Sequence, residues 1–283
     1  MLQHRDLSHD EKARLRNQVA ARLLEEAAGG GGPLALPDPV FDLQLDHFIT
    51  DFKGSQAATC RLIELPEWQR ASLVFITPDN STQRLREMGI RQSKEVIMTT
   101  YGIRRGSLLV TSRGVPEGQE EYASTLVGME KFGRRLWMIE DLESAGPLDL
   151  MVTGALAVSR AHGGLAGKCA CWFDAEWGIW RSLNLVQPET PVIGIVHDVQ
   201  VVPEAFQLDP WDCHLNVIVT PAEVIRPTGF QQPAGVLWDQ IITKKQMEWL
   251  AAIPYMGQLY KRQFGKALPF LSCKTQEGGE QAI

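Results

Sequence analysis

Two short runs of apolar, β-branched residues constrain the fold more than any other feature of this sequence. The first covers residues 192–196 and stops at the polar pair His197 and Asp198; the second covers residues 215–219 and stops at Thr220. Runs of this length and composition predict buried strands. Because ligands bind at the carboxyl ends of strands in open α/β sheets, the polar residues where these runs stop mark a candidate binding edge.

The rest of the chain alternates between strand-like and helix-like segments. Ser8 and Glu11 form a capping box that starts an amphipathic helix predicted over residues 9–27, whereas residues 33–60 predict mostly irregular chain. Beyond them we expect strands at residues 73–76, 95–99, 108–111, 136–139, 148–153 and 236–238, and helices at 81–88 and 120–131. This alternation predicts a three-layer α/β fold with a mainly parallel sheet and helices on both faces.

Composition restricts the partners and the compartment. The chain has 283 residues, with 28 basic and 34 acidic side chains and a formal net charge of −6. Because there is no dense basic block, a nucleic-acid partner is not expected. The start is too charged for a signal peptide, and no apolar run approaches the roughly 18 residues of a membrane span, so we expect a cytoplasmic protein without membrane contact. Five cysteines without framework spacing predict reduced thiols.

A glycine-rich stretch at residues 163–174, with the sequence GGLAGKCACWFD, is a candidate phosphate site. Glycine lets the backbone approach a phosphate closely, and a following helix presents N–H groups to it. Lys168 is a candidate phosphate partner and Asp174 a candidate Mg²⁺ ligand, since Mg²⁺ is bound by one or two carboxylates plus phosphate oxygens. A surface lysine and a helix-capping aspartate are the alternatives for these two residues.

Further charged residues carry two interpretations each. Lys12 and Arg16 lie four positions apart on the first predicted helix, and so on one face, where they either hold an anion or form a solvated basic surface. Asp198 and Asp212 lie next to the ends of the predicted strands, where they either complete a metal site or cap turns.

A zinc site is a rival interpretation of the cysteines. Cys169, Cys171, Cys213 and His214 together offer the ligand types of a tetrahedral site. The C-x-C spacing is not that of a recognised zinc module, however. Small, semi-buried side chains are therefore the simpler interpretation.

Several segments carry a family resemblance through their order along the chain. They are the strand that closes on His197 and Asp198, the Trp211-Asp212 element, a strand ending in VTP at residues 219–221, the FKGS segment at 52–55 and the VTGALAVS segment at 152–159. Together they resemble the 5-formyltetrahydrofolate cyclo-ligase, or methenyltetrahydrofolate synthetase, family, and above all its methenyltetrahydrofolate synthase domain-containing branch.

The resemblance implies a fold and a division of the chain. The expected fold is that of the cyclo-ligases, which is similar to the NagB/RpiA/CoA-transferase type. It is expected over residues 1–240. A C-terminal helical extension and a flexible tail are expected over residues 241–283.

The resemblance also implies MgATP-dependent chemistry. In the family reaction, the N5-formyl oxygen of 5-formyltetrahydrofolate attacks the γ-phosphate of ATP, N10 closes the ring, and phosphate leaves to give 5,10-methenyltetrahydrofolate. Carried onto this sequence, the resemblance assigns ATP binding to Lys12, Arg16, Gly167, Lys168 and Trp172, catalysis to Lys168 and Asp174, and Mg²⁺ binding to Asp174 and Asp212.

The glycine loop departs from the family pattern. Cys169 and Cys171 stand where the family has glycines, and no arginine stands where the family has one. Three functions stay open: a cyclo-ligase acting on 5-formyltetrahydrofolate or a related amide, a non-catalytic folate- or nucleotide-binding protein, and an ATP-independent enzyme on the same scaffold. The cysteines favour the last two, whereas Lys168 and Asp174 favour the first. A homodimer is compatible with the sequence.

Overall fold

A computed structural model describes residues 2–25, 32–38, 42–45, 48–166, 172–229, 231–240 and 250–269. Its strands in chain order are β1 (Ala35–Leu36), β2 (Asp51–Phe52), β3 (Leu73–Ile76), β4 (Glu95–Thr99), β5 (Ser107–Val110), β6 (Arg134–Leu136), β7 (Leu150–Gly154), β8 (Ala157–Ser159), β9 (Leu165–Ala166), β10 (Val192–Ile195), β11 (Val201–Val202), β12 (Val217–Val219) and β13 (Val224–Ile225).

A mostly parallel sheet forms the centre of the protein. Its eight strands lie in the order β13-β12-β10-β7-β3-β4-β5-β6. The five strands from β12 to β4 run parallel, and Ile193 of β10 pairs with Val152 of β7 on one side and Val217 of β12 on the other. The flanking strands β13, β5 and β6 are antiparallel to their neighbours. Every residue of β3, β7, β10 and β12 is buried, as expected of parallel strands covered on both faces.

Helices cover both faces of this sheet. They are α1 (Leu2–Leu24), α2 (Ser55–Ile63), α3 (Pro66–Arg70), α4 (Gln83–Arg91), α5 (Glu120–Ala123), α6 (Leu126–Phe132), α7 (Ile139–Ala145), α8 (Trp172–Ser182) and α9 (Pro254–Phe264). Side chains of α2 to α6 share one apolar core with the sheet, and side chains of α7, α8 and α9 share another. These three layers confirm the α/β fold class expected from the sequence.

The first helix packs on a separate small sheet. Leu15, Val19 and Leu23 of α1 are buried in a third core together with residues of β8, β9 and β11, which form a sheet in the order β11-β8-β9. The predicted helix of residues 9–27 is therefore present, but its described extent is Leu2–Leu24. Its apolar stripe docks α1 beside the strands that follow β7 and β10.

Two predicted elements have different boundaries in the structure. The helix predicted over residues 120–131 is divided into α5 and α6, because Thr125 is an N-cap whose Oγ1 accepts a hydrogen bond from Gly128 N. The strand predicted over residues 136–139 ends at Leu136. A carboxylate oxygen of Asp141 accepts hydrogen bonds from the backbone of Trp137 and Met138, which starts α7 at Ile139.

The strand predicted over residues 236–238 is wrong. This segment pairs with no strand among the described residues. Val236 N instead donates to Ser182 Oγ at the end of α8. An apolar run was present in the sequence, but its backbone donor is satisfied by a helix terminus rather than by a neighbouring strand.

Candidate active site

A turn at residues 209–213 contacts one side chain of α1 and one side chain of α8. The Lys12 ammonium on α1 forms ion pairs with Asp209 Oδ2, at 3.2 Å, and with Asp212 Oδ2. On the other side of the turn, Cys213 N donates to Asp174 Oδ1 in the first turn of α8, at 2.7 Å. Three residues predicted from the sequence, Lys12, Asp174 and Asp212, therefore meet around one short segment.

The Lys12 and Asp212 pair is buried. Lys12 is 7% exposed and Asp212 is 3% exposed. Burial raises the pKa of Asp212, while the Lys12 ammonium and the hydrogen bond from Asp209 N oppose that rise. Asp212 therefore closes the turn and neutralises a buried cation, which adds a structural role to the one predicted for it.

The other predicted ATP residues are placed as follows. Trp172 is the first residue of α8 and packs, half-buried, against the core beside Gly102. Arg16 lies one turn beyond Lys12 on α1 and is half-buried. Gly167 and Lys168, together with Cys169 and Cys171 of the same loop, lie outside the described residues.

The residues around this turn fit a nucleotide that carries its own divalent cation. The Lys12 ammonium contacts two carboxylates, those of Asp209 and Asp212, and a third carboxylate, that of Asp174, contacts the same turn at Cys213 N. No group of three or more His, Cys, Asp or Glu side chains among the described residues is arranged to hold a metal ion. Mg²⁺ commonly binds through one or two carboxylates plus phosphate oxygens, and this donor set suits that arrangement better than a protein-only cage.

Two candidate zinc ligands, Cys213 and His214, lie at the end of this turn. The Cys213 thiol is buried, donates to Gln232 Oε1 at 3.2 Å, and has a pKa raised by burial. Burial also lowers the pKa of His214 to about 4. The zinc interpretation stays a prediction, because two of its candidate ligands, Cys169 and Cys171, lie outside the described residues.

Where β10 ends, His197 and Asp198 serve the local turn. His197 Nδ1 accepts a hydrogen bond from Val199 N at 3.2 Å, and burial lowers the pKa of the imidazole. Asp198 accepts a hydrogen bond from Thr220 Oγ1, which follows β12. Asp198 therefore ties together the ends of the neighbouring strands β10 and β12, whereas His197 caps its own turn.

A second polar cluster lies where β3, β4 and β7 end, and sequence reasoning missed it. Asp79, in the turn after β3, accepts hydrogen bonds from Thr77 Oγ1 and, at 2.9 Å, from Gly154 N at the end of β7. The fully buried Arg86 holds this turn by donating to the carbonyls of Thr77, at 2.6 Å, and Asp79, at 3.0 Å. The polar residues after the predicted strand 73–76 were the available signal.

Glu176 of α8 belongs to the same region. It is 3% exposed, and Thr99 Oγ1 at the end of β4 donates to its Oε1. Burial raises the pKa of Glu176 to about 8, and the negative charges of Asp79 and Asp174 add to the rise. The available signal was an acidic residue at position 176 among the apolar residues of the segment WFDAEWGIW, whose other acidic residue is Asp174.

The architecture is that of an α/β protein whose polar residues gather at the ends of the sheet strands. A family model for 5-formyltetrahydrofolate cyclo-ligases matches residues 8–221, so the chain belongs to that family. None of the described helices has an apolar window long enough to cross a bilayer.

Similar proteins carry the name methenyltetrahydrofolate synthase domain-containing protein. The mouse protein is 29% identical over 249 residues, covering 85% of this chain and 63% of its own length. The human protein is 29% identical over 229 residues, which cover 79% of this chain and 57% of the human protein. The bovine protein is 30% identical over 234 residues, which cover 80% of this chain and 59% of the bovine protein. The chain thus spans about three-fifths of the length of these curated relatives.

Solved structures of two synthetases are also similar. The 5,10-methenyltetrahydrofolate synthetase of Aquifex aeolicus is 18% identical, with a TM-score of 0.46, and the match covers 77% of this chain and 94% of that one. The 5,10-methenyltetrahydrofolate synthetase of Mycoplasma pneumoniae is 12% identical, with a TM-score of 0.41, and the match covers 74% of this chain and 97% of that one.

Proposed function

We propose that this protein is an ATP- and Mg²⁺-dependent cyclo-ligase that converts 5-formyltetrahydrofolate, or a related amide, to a ring-closed product. The names of its relatives and the family model support this assignment. The structural observation that carries it is that Lys12 and Asp174, in the first turn of α8, both contact the turn at residues 209–213. A basic side chain and a helix N-terminus that converge on one point form a suitable receptor for a phosphate.

The residues have complementary roles in this proposal. The first turn of α8 directs its N–H groups, and the positive end of its dipole, toward the phosphates. Asp174, in that turn, holds Mg²⁺ together with Asp212, while Lys12 and Arg16 neutralise phosphate oxygens. When bound, ATP supplies the phosphoryl group that makes the formyl oxygen a leaving group. The protein contributes positioning and charge neutralisation rather than a nucleophile.

Lys168 and Gly167 complete the proposed nucleotide site. Both come shortly before α8 in the sequence, and Lys168 adds a third cation to those of Lys12 and Arg16. We propose that Lys168 contacts the transferred phosphoryl group, whose charge is spread over its equatorial oxygens in the transition state. Trp172 at the start of α8 lines the nucleotide side of the site.

Titration calorimetry tests this function directly. We expect the full chain to bind MgATP and 5-formyltetrahydrofolate, and to form the methenyl product, followed by its absorbance, only when both are present. Binding of both ligands without any product would favour the alternative of a non-catalytic folate- and nucleotide-binding protein. Product formed without ATP would favour an ATP-independent enzyme.

Asp174→Asn tests the metal role. We expect the variant to bind ATP with the same affinity with and without Mg²⁺, because the amide is a much weaker ligand of a hard cation. Asp239→Asn, at an exposed carboxylate, is the matched control and should keep the Mg²⁺ dependence of the unmodified protein. If the unmodified protein binds ATP equally well with and without Mg²⁺, the metal role of Asp174 is wrong.

A further inference from the structure

The loop between β4 and β5, residues 100–106, lies at the carboxyl edge of the parallel strands. β4 runs parallel to β3 and β5 runs antiparallel to β4, so this loop starts where β4 ends. Thr99, the last residue of β4, donates from Oγ1 to Glu176 Oε1, which brings the start of the loop beside α8. The loop carries two adjacent, exposed arginines, Arg104 and Arg105. Their contacts decide which of them faces a ligand bound at this edge.

The two arginines have different surroundings. Arg105 Nη2 forms an ion pair with Glu130 of α6, and Arg135 Nη1 of β6 donates to Arg105 O at 2.9 Å. The side chain of Arg104 makes no hydrogen bond or ion pair with any residue that the structure describes. Arg105 is therefore directed toward β6 and α6, whereas the five N–H donors of Arg104 are available to a ligand.

Arg104 lies beside the first residue of α8. A Cβ atom placed on Gly102 would lie 3.4 Å from Trp172 Cη2 and 3.7 Å from Arg104 Cγ, so the indole ring and the Arg104 side chain both pack against Gly102. Trp172 starts α8, and the side chains of a helix point toward its N-terminus. Arg104 is therefore on the N-terminal side of α8, where the proposed function places the phosphates.

The backbone that carries Arg104 is held in a strained conformation. Gly102 and Ile103 have φ angles of 63° and 56°, and the left-handed region is unfavourable for a β-branched residue. Ile103 is buried in the same core as side chains of α8, and its N–H donates to Thr100 O at 2.7 Å. On the other side of Arg104, Arg105 N donates to Thr100 Oγ1 at 3.0 Å. Strain that is fixed in this way is typical of functional sites.

We propose that Arg104 binds the phosphate chain of ATP and is a further cation of the nucleotide site, beside Lys12, Arg16 and Lys168. The inference rests on the proposed function, which places the phosphates at the start of α8. A guanidinium group can donate two parallel hydrogen bonds to one phosphate group. Because the backbone is fixed on both sides of Arg104, less conformational freedom is lost when the phosphate binds.

The test is the affinity of the full chain for MgATP, measured by calorimetry, and for magnesium tripolyphosphate, which has the phosphate chain without adenosine. We expect Arg104→Gln to weaken both affinities by about 10-fold to 100-fold, the effect of losing hydrogen bonds from a charged donor. Arg104→Lys should recover part of this loss, because an ammonium keeps the charge but not the paired donors. The affinity for 5-formyltetrahydrofolate without ATP should not change in either variant.

Arg105→Gln is the matched control, because it removes the same charge from the adjacent exposed residue whose side chain pairs with Glu130. It should keep the MgATP affinity of the unmodified protein, and both glutamine variants should keep its urea unfolding midpoint. Equal losses of MgATP affinity in the two variants would overturn the inference, since they would show a general effect of charge.

Two other results would assign Arg104 to a different ligand group and would also overturn the inference. A loss of MgATP affinity without a loss for tripolyphosphate would mean that Arg104 contacts the adenosine. A loss of affinity for 5-formyltetrahydrofolate alone would mean that it binds the carboxylates of that substrate. Failure of the unmodified protein to bind MgATP would overturn the proposed function, and the inference with it.

Discussion

At the scale of single residues, two buried carboxyl groups show two ways of tolerating burial. Asp212 lies against the Lys12 ammonium and a backbone N–H, so its negative charge is compensated. Glu176 accepts a hydrogen bond from the Thr99 hydroxyl, and the carboxylates of Asp79 and Asp174 act on it, so its neutral form is favoured. Burial disfavours a charge in both cases, and the neighbouring charges decide which form results.

The raised pKa of Glu176 makes the stability of the protein depend on pH. Folding raises this pKa from 4.5 to about 8, so the bound proton stabilises the folded state below pH 4.5, and that contribution is lost as the pH rises to about 8. We expect the free energy of unfolding, relative to that of Glu176→Gln, to decrease by about 3 to 5 kcal/mol across this range. Urea unfolding of both proteins at each pH measures this difference in the free energy of unfolding.

The control for this series is Glu117→Gln, which changes an exposed carboxylate in the same way. Its stability relative to the unmodified protein should vary little with pH, because an exposed group has nearly the same surroundings in the folded and unfolded states. A difference between Glu176→Gln and the unmodified protein that is constant from pH 4.5 to pH 8 would show that Glu176 titrates normally.

Lys12 should contribute to stability whatever its role toward a nucleotide. Lys12→Met leaves the carboxylate of Asp212 buried without its cation, and we expect a loss of about 3 to 5 kcal/mol at neutral pH. The loss should diminish in acid, where a protonated Asp212 needs no cation. Arg14→Met, at an exposed position of the same helix, should change the free energy of unfolding by less than about 0.5 kcal/mol. Urea midpoints that are equal for the two variants would contradict this account.

At the scale of elements, the junction between α5 and α6 depends on one close backbone approach. A Cβ atom on Gly128 would lie 1.7 Å from the carbonyl oxygen of Tyr122. We expect Gly128→Ala to reduce the free energy of unfolding by about 2 to 4 kcal/mol, because this contact is to rigid backbone and outweighs the gain of about 1 kcal/mol in helix propensity. Chemical denaturation provides the measurement.

Gly114→Ala is the comparison for that junction. A Cβ atom there would have its nearest neighbours at 3.6 Å and 3.7 Å, which are ordinary contacts. The substitution should therefore have little effect on stability. Equal free energies of unfolding for Gly128→Ala and Gly114→Ala would contradict this account. They would mean that α5 and α6 can separate at this contact without a loss of stability.

At the scale of the whole molecule, the described C-terminal residues belong to the main core. Ile253, Tyr255, Met256 and Leu259 are buried in the same core as α7, α8 and one face of the sheet. Tyr255 Oη also donates to Leu136 O at 2.6 Å and accepts a hydrogen bond from Ser107 N at 2.8 Å, which links α9 to β5 and β6. We propose that α9 folds cooperatively with the sheet rather than as a separate extension.

Tyr255→Phe tests this link. The variant leaves Ser107 N–H and Leu136 C=O buried without a partner, and we expect a loss of about 2 to 3 kcal/mol in the free energy of unfolding. Tyr260→Phe, whose ring packs against Trp238 and Phe264, should be nearly neutral. Both variants should unfold in one transition by fluorescence and by circular dichroism. An early, separate transition would contradict cooperative folding of α9.

The sequence by itself determined most strands of the central sheet, but not the extent of β6 or the presence of β13. The segments predicted at residues 73–76 and 95–99 match β3 and β4, and residues 192–196 contain β10, because fully buried strands are uniform apolar runs that need no knowledge of their neighbours. The sequence also placed Lys12, Asp174 and Asp212 in one candidate site, and the turn at residues 209–213 brings these three together.

Only the tertiary structure decided how the polar residues pair. Asp209, adjacent to Asp212 in the turn, lies 197 positions from Lys12 in the sequence, and Thr99 lies 77 positions from Glu176, so no local pattern could indicate either contact. The segment at residues 236–238 had the composition of a strand, yet its backbone found its partner on α8. Apolar burial is encoded position by position, whereas the charge state of a buried carboxyl group depends on whichever distant side chains the fold places beside it.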